Sequence, residues 1–424
     1  MSKQKIQLSD HFTYPRLLRF VLPCIGTMLF TSIYGIVDGL CVSNFVGKTA
    51  FAAVNLIMPL PMLLGTIGFM LGTGGSAIVG ITLGEGDQKK ADRYFTLFLL
   101  AALISVSVLA VLGIVFLRPI AVLLGAKGEL LDYAVRYGRI LMVSLPTFAL
   151  QNMFQSFFVT AEKPHLGFWF TVGAGCTNMV LDVLMVGIWG WGVEGAAIAT
   201  FISQLVGGVL PVFYFIDRSN SSRLHLCKTS FYSKVLRDAC INGSSELMTN
   251  LSMSLVNILY NYQLLRLAGE NGVAAYGVIM YAAFLFVAVF VGYAVGSAPI
   301  VSFHYGARNH AEVHNLYRKS LRLIAVVAVT LTLASMFIIP CVARIFVGYD
   351  AELLALTSRA FRLYALSFLI MGFNVYASSF FTALGDGVTS ALISFLRTLA
   401  FQVIAILLLP LLLGIDGIWL AVTA

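Results

Sequence analysis

Long apolar runs separated by short polar stretches dominate this chain. They fall near 17–43, 52–82, 94–117, 130–160, 165–190 and 194–216. After a polar stretch at 217–234 they resume near 235–266, 274–303, 320–347, 351–383, 389–413 and 415–424. At about 1.5 Å per residue, most are long enough as helices to cross the roughly 30 Å of bilayer hydrocarbon. The runs are continuous rather than alternating, which disfavours an outer-membrane barrel, and open strands cannot satisfy their backbone in lipid. The pattern therefore predicts an all-α membrane protein of twelve transmembrane helices. The last run would rise only about 15 Å, so it reads as a helix cut short.

The two halves match in register. Gly47, Gly74, Gly84, Asn152, Thr160, Gly192 and Gly195 meet Gly269, Gly296, Gly306, Asn374, Thr382, Gly414 and Gly417, each pair 222 positions apart. One such match between membrane helices carries little weight, because small residues recur at helix contacts. A fixed register across many segments carries more. Each half holds an even number of spans, so both enter the membrane from the same side. The expected architecture is two parallel six-helix bundles related by a pseudo-two-fold along the membrane normal. The N-terminal lobe is 1–216, a cytoplasmic linker 217–234, and the C-terminal lobe 235–424.

Composition sharpens this picture. Hydrophobic residues make up 59% of the 424 and charged residues 11%, far below the roughly 25% charged of soluble domains. The net charge of +8 does not point to nucleic acid, because the basic residues sit in short loops between apolar runs. Fifteen Lys and Arg fall on the N-terminal side of the predicted membrane, against Lys48, Arg118, Lys127, Arg266 and Arg344 on the other. That bias places the N-terminus in the cytoplasm. The six cysteines form no CxxC pair and lie mostly in apolar segments, where they read as small buried hydrophobes. His304, His310 and His314 read as solvated loop residues.

Ionisable residues in hydrocarbon are costly and usually functional. Asp38 lies in the first span and Asp182 at a similar depth in the fifth. Asn178 is one turn before Asp182, and Thr200 is in the sixth span. Two carboxylates, an amide and a hydroxyl suit a proton or a small hard cation such as Na+, not a soft transition metal. The competing reading is hydrogen-bonded glue between helices. Tyr34 sits one turn below Asp38. In the seventh span Glu246, Asn250, Asn257 and Asn261 fall within about 60° of arc, a polar stripe that should face a cavity. Arg397 in the eleventh span is the natural partner of Glu246, either as a structural pair or as part of a substrate cavity. Gln151, Asn152 and Gln155 add polarity to the fourth span.

The stretches GTGGSAIVGITLGEGDQKKA (72–91) and GSAPIVSFHYGARNHAEV (296–313), with NMVLD (178–182) followed by GVEGAAIAT (192–200), resemble the multidrug and toxic compound extrusion (MATE) transporters. The resemblance covers essentially the whole chain. It looks closest to the MepA-like exporters of the DinF-like branch. It implies a cation site at Asp38, Asn178, Asp182 and Thr200, with Tyr34 and Asn152 on the N-lobe cavity. It also implies export of organic, often cationic or amphipathic compounds across a prokaryotic cytoplasmic membrane. The tenth span has no acid beyond Glu352, and Ser245 stands where the family often has proline, so no C-lobe cation site carries over.

The expected function is proton- or sodium-coupled antiport by alternating access. The substrate cavity would include Tyr34, Asn152, Gln155, Glu246, Asn250, Asn257 and Arg397. The alternative is a flippase for a lipid-linked or amphipathic lipid, which would favour a more cationic cavity. A receptor or scaffold explains neither the duplication nor the paired acids. With no GxxxxGK[ST] loop and no HExxH, neither an enzyme nor a cofactor is expected, and the energy should come from a gradient of H+ or Na+. The expected partners are the bilayer and small organic molecules, with the chain a monomer that binds no nucleic acid.

Overall fold

The computed structural model describes residues 6–46, 48–348 and 350–423. Every regular element among them is helical. The first half contains α1 (Tyr14–Phe45), α2 in two pieces (Lys48–Ile57 and Pro59–Gly84), α3 (Gln88–Leu123) and α4 (Glu129–Thr160). It continues with α5 (Pro164–Asp182, extended by a π-helical turn Val183–Ile188) and α6 (Gly192–Gly208 and Leu210–Ile216). A short helix, Ser233–Asn242, leads into Ser244–Gly306, which reverses at Gly269 and so holds two spans, α7 before that residue and α8 after it. Then come α9 (His310–Val347), α10 (Ala351–Ala365 and Phe368–Ala383) and α11 (Gly387–Phe395, a π-turn Leu396–Ala400, and Phe401–Leu413). A short α12 (Ile415–Leu420) follows.

Among the described residues, eight helices are long and apolar enough to cross a bilayer, or nine with the two pieces of α10, which bend by 47°. The other crossings fail that test for visible reasons. The hairpin at Gly269 merges two spans into one helix, and α4 carries Asp132, Arg136 and Arg139 in its first half. Large apolar side chains such as Leu123, Phe337 and Leu411 are 80% exposed or more, as lipid contact requires. The fold is two parallel six-helix lobes, α1–α6 and α7–α12.

The internal repeat is written into the turns. Asp87 caps α3 by accepting from the Lys90 N–H, and its mate Asn309 caps α9 by accepting from the Glu312 N–H. Gly192 and Gly414 start α6 and α12 with φ of 59° and 59°, a left-handed conformation that glycine adopts without penalty. Gly86, at φ 86°, is matched instead by Arg308 at φ 57°, so one lobe holds a side chain where the other avoids strain.

The lobes meet at the end of the bundle that carries the linker. A Cβ at Gly84 would lie 2.0 Å from the Phe303 carbonyl oxygen, and one at Gly306 would lie 2.0 Å from the Ile81 oxygen. Only bare backbone lets α2 and α8 approach this closely. Gly68 and Gly72 likewise seat α2 on Ala149 and Met153 of α4, while Gly74 seats it on Ala239 and Gly243. Residues 8–12 strap the same face. The Leu8 N–H donates to Glu162 Oε1 at 2.8 Å, and the Phe12 N–H donates to Glu312 Oε1 at 2.9 Å. His11 Nδ1 lies 2.6 Å from Glu312 Oε2. Glu162 belongs to the first lobe and Glu312 to the second, so one short segment bridges both. His304 is buried beside Phe12 and Phe303, which corrects its reading as a solvated loop residue. The strap covers it. The linker lies against the start of α3, with the His225 N–H donating to Asp92 and the Cys227 N–H to Thr96.

At the opposite end the lobes carry separate cores. Ala53, Ile57, Leu117, Tyr137 and Ala197 form a cluster wholly inside the first lobe. The main core joins the linker-side half of that lobe to the second lobe.

Candidate functional site

Two helices of the first lobe bring carboxyl groups together. On α1, Tyr34 and Asp38 are one turn apart. On α5, Asn178 and Asp182 are also one turn apart, and both are buried, Asp182 completely. α1 reaches α5 because residue 175 is glycine: a Cβ there would lie 2.5 Å from the Phe30 ring and 3.1 Å from that of Tyr34. Asp182 closes the α-helical part of α5, and the π-turn beginning at Val183 widens the helix just beyond it. Such turns often mark functional positions.

Asp38 and Asp182 lie within hydrogen-bonding reach of each other. Asp38 Oδ1, both carboxyl oxygens of Asp182 and the Asn178 amide nitrogen are buried with no other hydrogen-bond partner. Two ionised carboxylates are both acceptors, so a bond between them needs a proton on one. Among the described residues, no basic side chain acts on either acid. At an effective dielectric near 20, two unit charges about 4 Å apart repel by roughly 4 kcal/mol. Two such carboxyls are mutually destabilising when both are ionised.

Tyr137 of α4 and Cys41 of α1 also feel both acids. Tyr137 is 1% exposed. Sequence reasoning missed it because α4 is the span with the most loop-like charge, and a lone tyrosine there carries no signal. Thr200, on α6, is half-buried. Its carbonyl accepts from the Ser203 hydroxyl, and its own hydroxyl makes no hydrogen bond to the acid pair.

The second polar centre is a cavity of about 640 Å³, lined mainly by α7, α8, α10 and α11. Thr73 and Ser76 of α2 and Ser156 of α4 line its first-lobe side. Glu246, Asn257 and Arg397 face it, together with Tyr276, Tyr364, Asn374 and Gln402, which the sequence reading did not single out as cavity residues. Asn374 is the repeat mate of Asn152, a signal already present in the sequence. The Tyr276 hydroxyl donates to Asn257 Oδ1 at 2.6 Å, and its ring stacks on Tyr260 at 5.0 Å. Glu246 and Arg397 interact electrostatically, but they form no ion pair.

Four residues expected on the substrate cavity do not line it. The Asn250 amide donates to its own helix at the Glu246 carbonyl, 2.9 Å away, because a polar side chain in an apolar helix satisfies itself one turn back when nothing nearer accepts. Asn152 is buried among the helices of the first lobe. Gln155 faces a small crevice with Cys24, Thr27 and Pro164. Tyr34 sits against Gly175, beside the acid pair.

The MatE family profile matches residues 23–184 and again 247–408, one copy in each half. The chain belongs to the MatE family. Its duplicated architecture is that of the family, and the two matched stretches fall one in each six-helix lobe. The chain is 21% identical over 408 residues to the multidrug export protein MepA of Staphylococcus saprophyticus subsp. saprophyticus, covering 95% of this chain and 87% of that one. It is 21% identical over 406 residues to MepA of Staphylococcus aureus, covering 96% and 89%. Among solved structures, one of a multidrug resistance MATE family transporter of the MOP superfamily, in an outward-facing conformation, superposes with a TM-score of 0.93. The sequences there are 24% identical, covering 100% of this chain and 94% of that one.

Proposed function

We propose that this MatE protein exports organic, cationic or amphipathic compounds in exchange for inward-moving protons or sodium ions, with Asp38, Asn178 and Asp182 as the coupling site. One observation carries the reading: two carboxyls lie side by side in the first lobe, with no basic side chain acting on them among the described residues. A site built this way is stable when it holds a positive ion and unstable when bare, so ion uptake and release can drive the lobes between states. The names of the curated relatives, multidrug export proteins, support the direction of transport.

The charge bias of the loops supports a cytoplasmic linker face in the inner membrane of a prokaryote. On that orientation the strapped, glycine-packed face is the closed cytoplasmic gate, and the lobes part toward the outside. Thr200 would join the cation site on α6 as the lobes move. The protein would work as a monomer.

Proteoliposomes with independently imposed pH and Na+ gradients test the reading. One of the two gradients should drive uptake of a fluorescent organic cation, and Asp38→Asn and Asp182→Asn should each reduce it to the level of empty vesicles. Undiminished gradient-driven transport in both variants would overturn it.

A further inference from the structure

The short helix Ser233–Asn242, between the linker and α7, has two unlike faces. The inner face is packed: Ala239 and Asn242 are buried, and Val235, Leu236 and Cys240 lie against the main core. This face touches both lobes. A Cβ at Gly74 of α2 would lie 2.2 Å from the Ala239 carbonyl oxygen, and one at Gly387 of α11 would lie 2.2 Å from Asn242 Cα. The Asn242 amide donates to the Thr382 carbonyl of α10 at 2.9 Å and to the Gly74 carbonyl of α2 at 3.4 Å. The outer face is bare. Lys234, Arg237 and Ile241 are exposed and stand three and four residues apart, on one side of the helix. Phe231, just before the helix, is 75% exposed, and Lys228, three residues earlier, is exposed too. Lys228 and Lys234 form no ion pair within 4.0 Å among the described residues, and Arg237 meets only its neighbour Asp238, at 3.4 Å.

We propose that this outer face binds the headgroups of anionic phospholipids in the linker-side leaflet, and that lipid bound there holds the linker face closed. The chain itself sets the height of the helix in the membrane. α7 begins at Ser244, two residues after Asn242, so the helix lies at the polar boundary of the bilayer. Basic side chains beside exposed apolar and aromatic ones are the composition of helices that lie in that boundary. Lys and Arg reach the phosphates while their stems rest on apolar surface, and each basic group near an anionic leaflet adds affinity. An acidic protein or a nucleic acid would match the charge but leave Phe231 and Ile241 in water. Loop charge that only orients the chain needs neither those two side chains nor a contact with both lobes. A helix seated on both lobes keeps both contacts only while the lobes meet, so lipid that fixes the helix favours the closed linker face.

The lipid site rests on the membrane fold alone, so it stands or falls apart from ion coupling and export. Native mass spectrometry of the purified full chain, with phosphatidylglycerol or phosphatidylcholine of equal acyl length, reads the binding. The native protein should hold phosphatidylglycerol about tenfold more tightly, as expected for basic groups near an anionic headgroup. Lys228→Gln/Lys234→Gln/Arg237→Gln should erase that preference. Arg308→Gln/Arg318→Gln/Arg322→Gln, which removes equal charge from exposed positions of the second lobe, should keep it. Phe231→Ser leaves every charge in place and should weaken both lipids together by about threefold; it serves as the readout if the first triple variant does not fold. In phosphatidylcholine nanodiscs, added phosphatidylglycerol should slow hydrogen exchange about fivefold in residues 233–242 and in the strap at 6–12, but not in the first triple variant. Equal retention of the two lipids by the native protein would overturn the lipid site, and so would an equal loss of preference in the two triple variants. Preferential binding with unchanged exchange in the strap would overturn its role in closure.

Discussion

The two lobes share a backbone plan and differ at their centres. In the register fixed by Gly47 and Gly269, Asp38 corresponds to Tyr260, and Tyr260 stacks on Tyr276. In the register fixed by Gly192 and Gly414, Asn178 corresponds to Ala400 and Asp182 to Ile404, and the neighbours of Ile404, Val403 and Ala405, are also apolar. One lobe therefore concentrates like charge where the other has aromatic and aliphatic packing. The second lobe instead lines a cavity with one acid and one base, Glu246 and Arg397. Duplication preserved what backbone packing demands, namely caps, left-handed glycines and bare helix contacts. It left the interior-facing positions free to differ, and under the proposed function they would divide the work between an ion and an organic molecule.

The largest expected effect tests that division directly. Asp182→Asn should abolish gradient-driven transport, whereas Tyr260→Phe, at the position of Asp38 in the second lobe, should leave the ion dependence unchanged. A loss of ion coupling in Tyr260→Phe, measured in the same vesicles, would show that the second lobe also handles the ion.

Next in size is the glycine contact between the lobes. Gly84→Ala places a methyl group against the Phe303 carbonyl and should destabilise the closed linker face by about 1–3 kcal/mol. Gly277→Ala, with nothing within 4 Å, should be neutral. Thermal unfolding and thiol labelling from the linker side distinguish the two. Equal behaviour of the two variants would remove bare backbone as the reason the lobes close there.

The strap comes third. Glu312→Gln removes the charge that accepts from the Phe12 N–H and faces His11, and should loosen residues 6–12 by about 1–2 kcal/mol. Hydrogen exchange should rise in that segment and in the cover over His304, with α5 unaffected. Unchanged protection would mean that the apolar burial of Leu8 and Phe12 alone holds the strap.

The smallest effect separates the two caps. The hydrogen bond from the Lys90 N–H, with its side-chain partner, holds the Asp87 carboxyl below the usual aspartate range. A lowered value in the fold means that stability is present above the unfolded value, near 3.9, and is lost as pH falls through the folded one. The first turn of α3 should therefore exchange faster near pH 3 than at pH 7, beyond the intrinsic pH effect. The first turn of α9, capped by the neutral Asn309, should not. Parallel behaviour of the two turns would assign no role to the charge.

The sequence alone determined that the chain lies in a membrane, the order of its helical spans, and that its two halves repeat. Hydrocarbon permits only helices and closed barrels, long continuous apolar runs select the helix, and turns need particular residues at particular places. It also brought Asp38, Asn178 and Asp182 into view, because a carboxyl in an apolar run is conspicuous without coordinates. Tertiary structure decided what those groups face. It added Tyr137, which approaches the acids from a helix distant in sequence. It turned Asn250 back onto its own helix and kept Asn152 and Gln155 out of the large cavity. It left Arg397 unpaired beside Glu246. Helical periodicity fixes the face on which a side chain stands, but the rotation of each helix, including the π-turns in α5 and α11, is set by packing against helices that the local sequence does not encode.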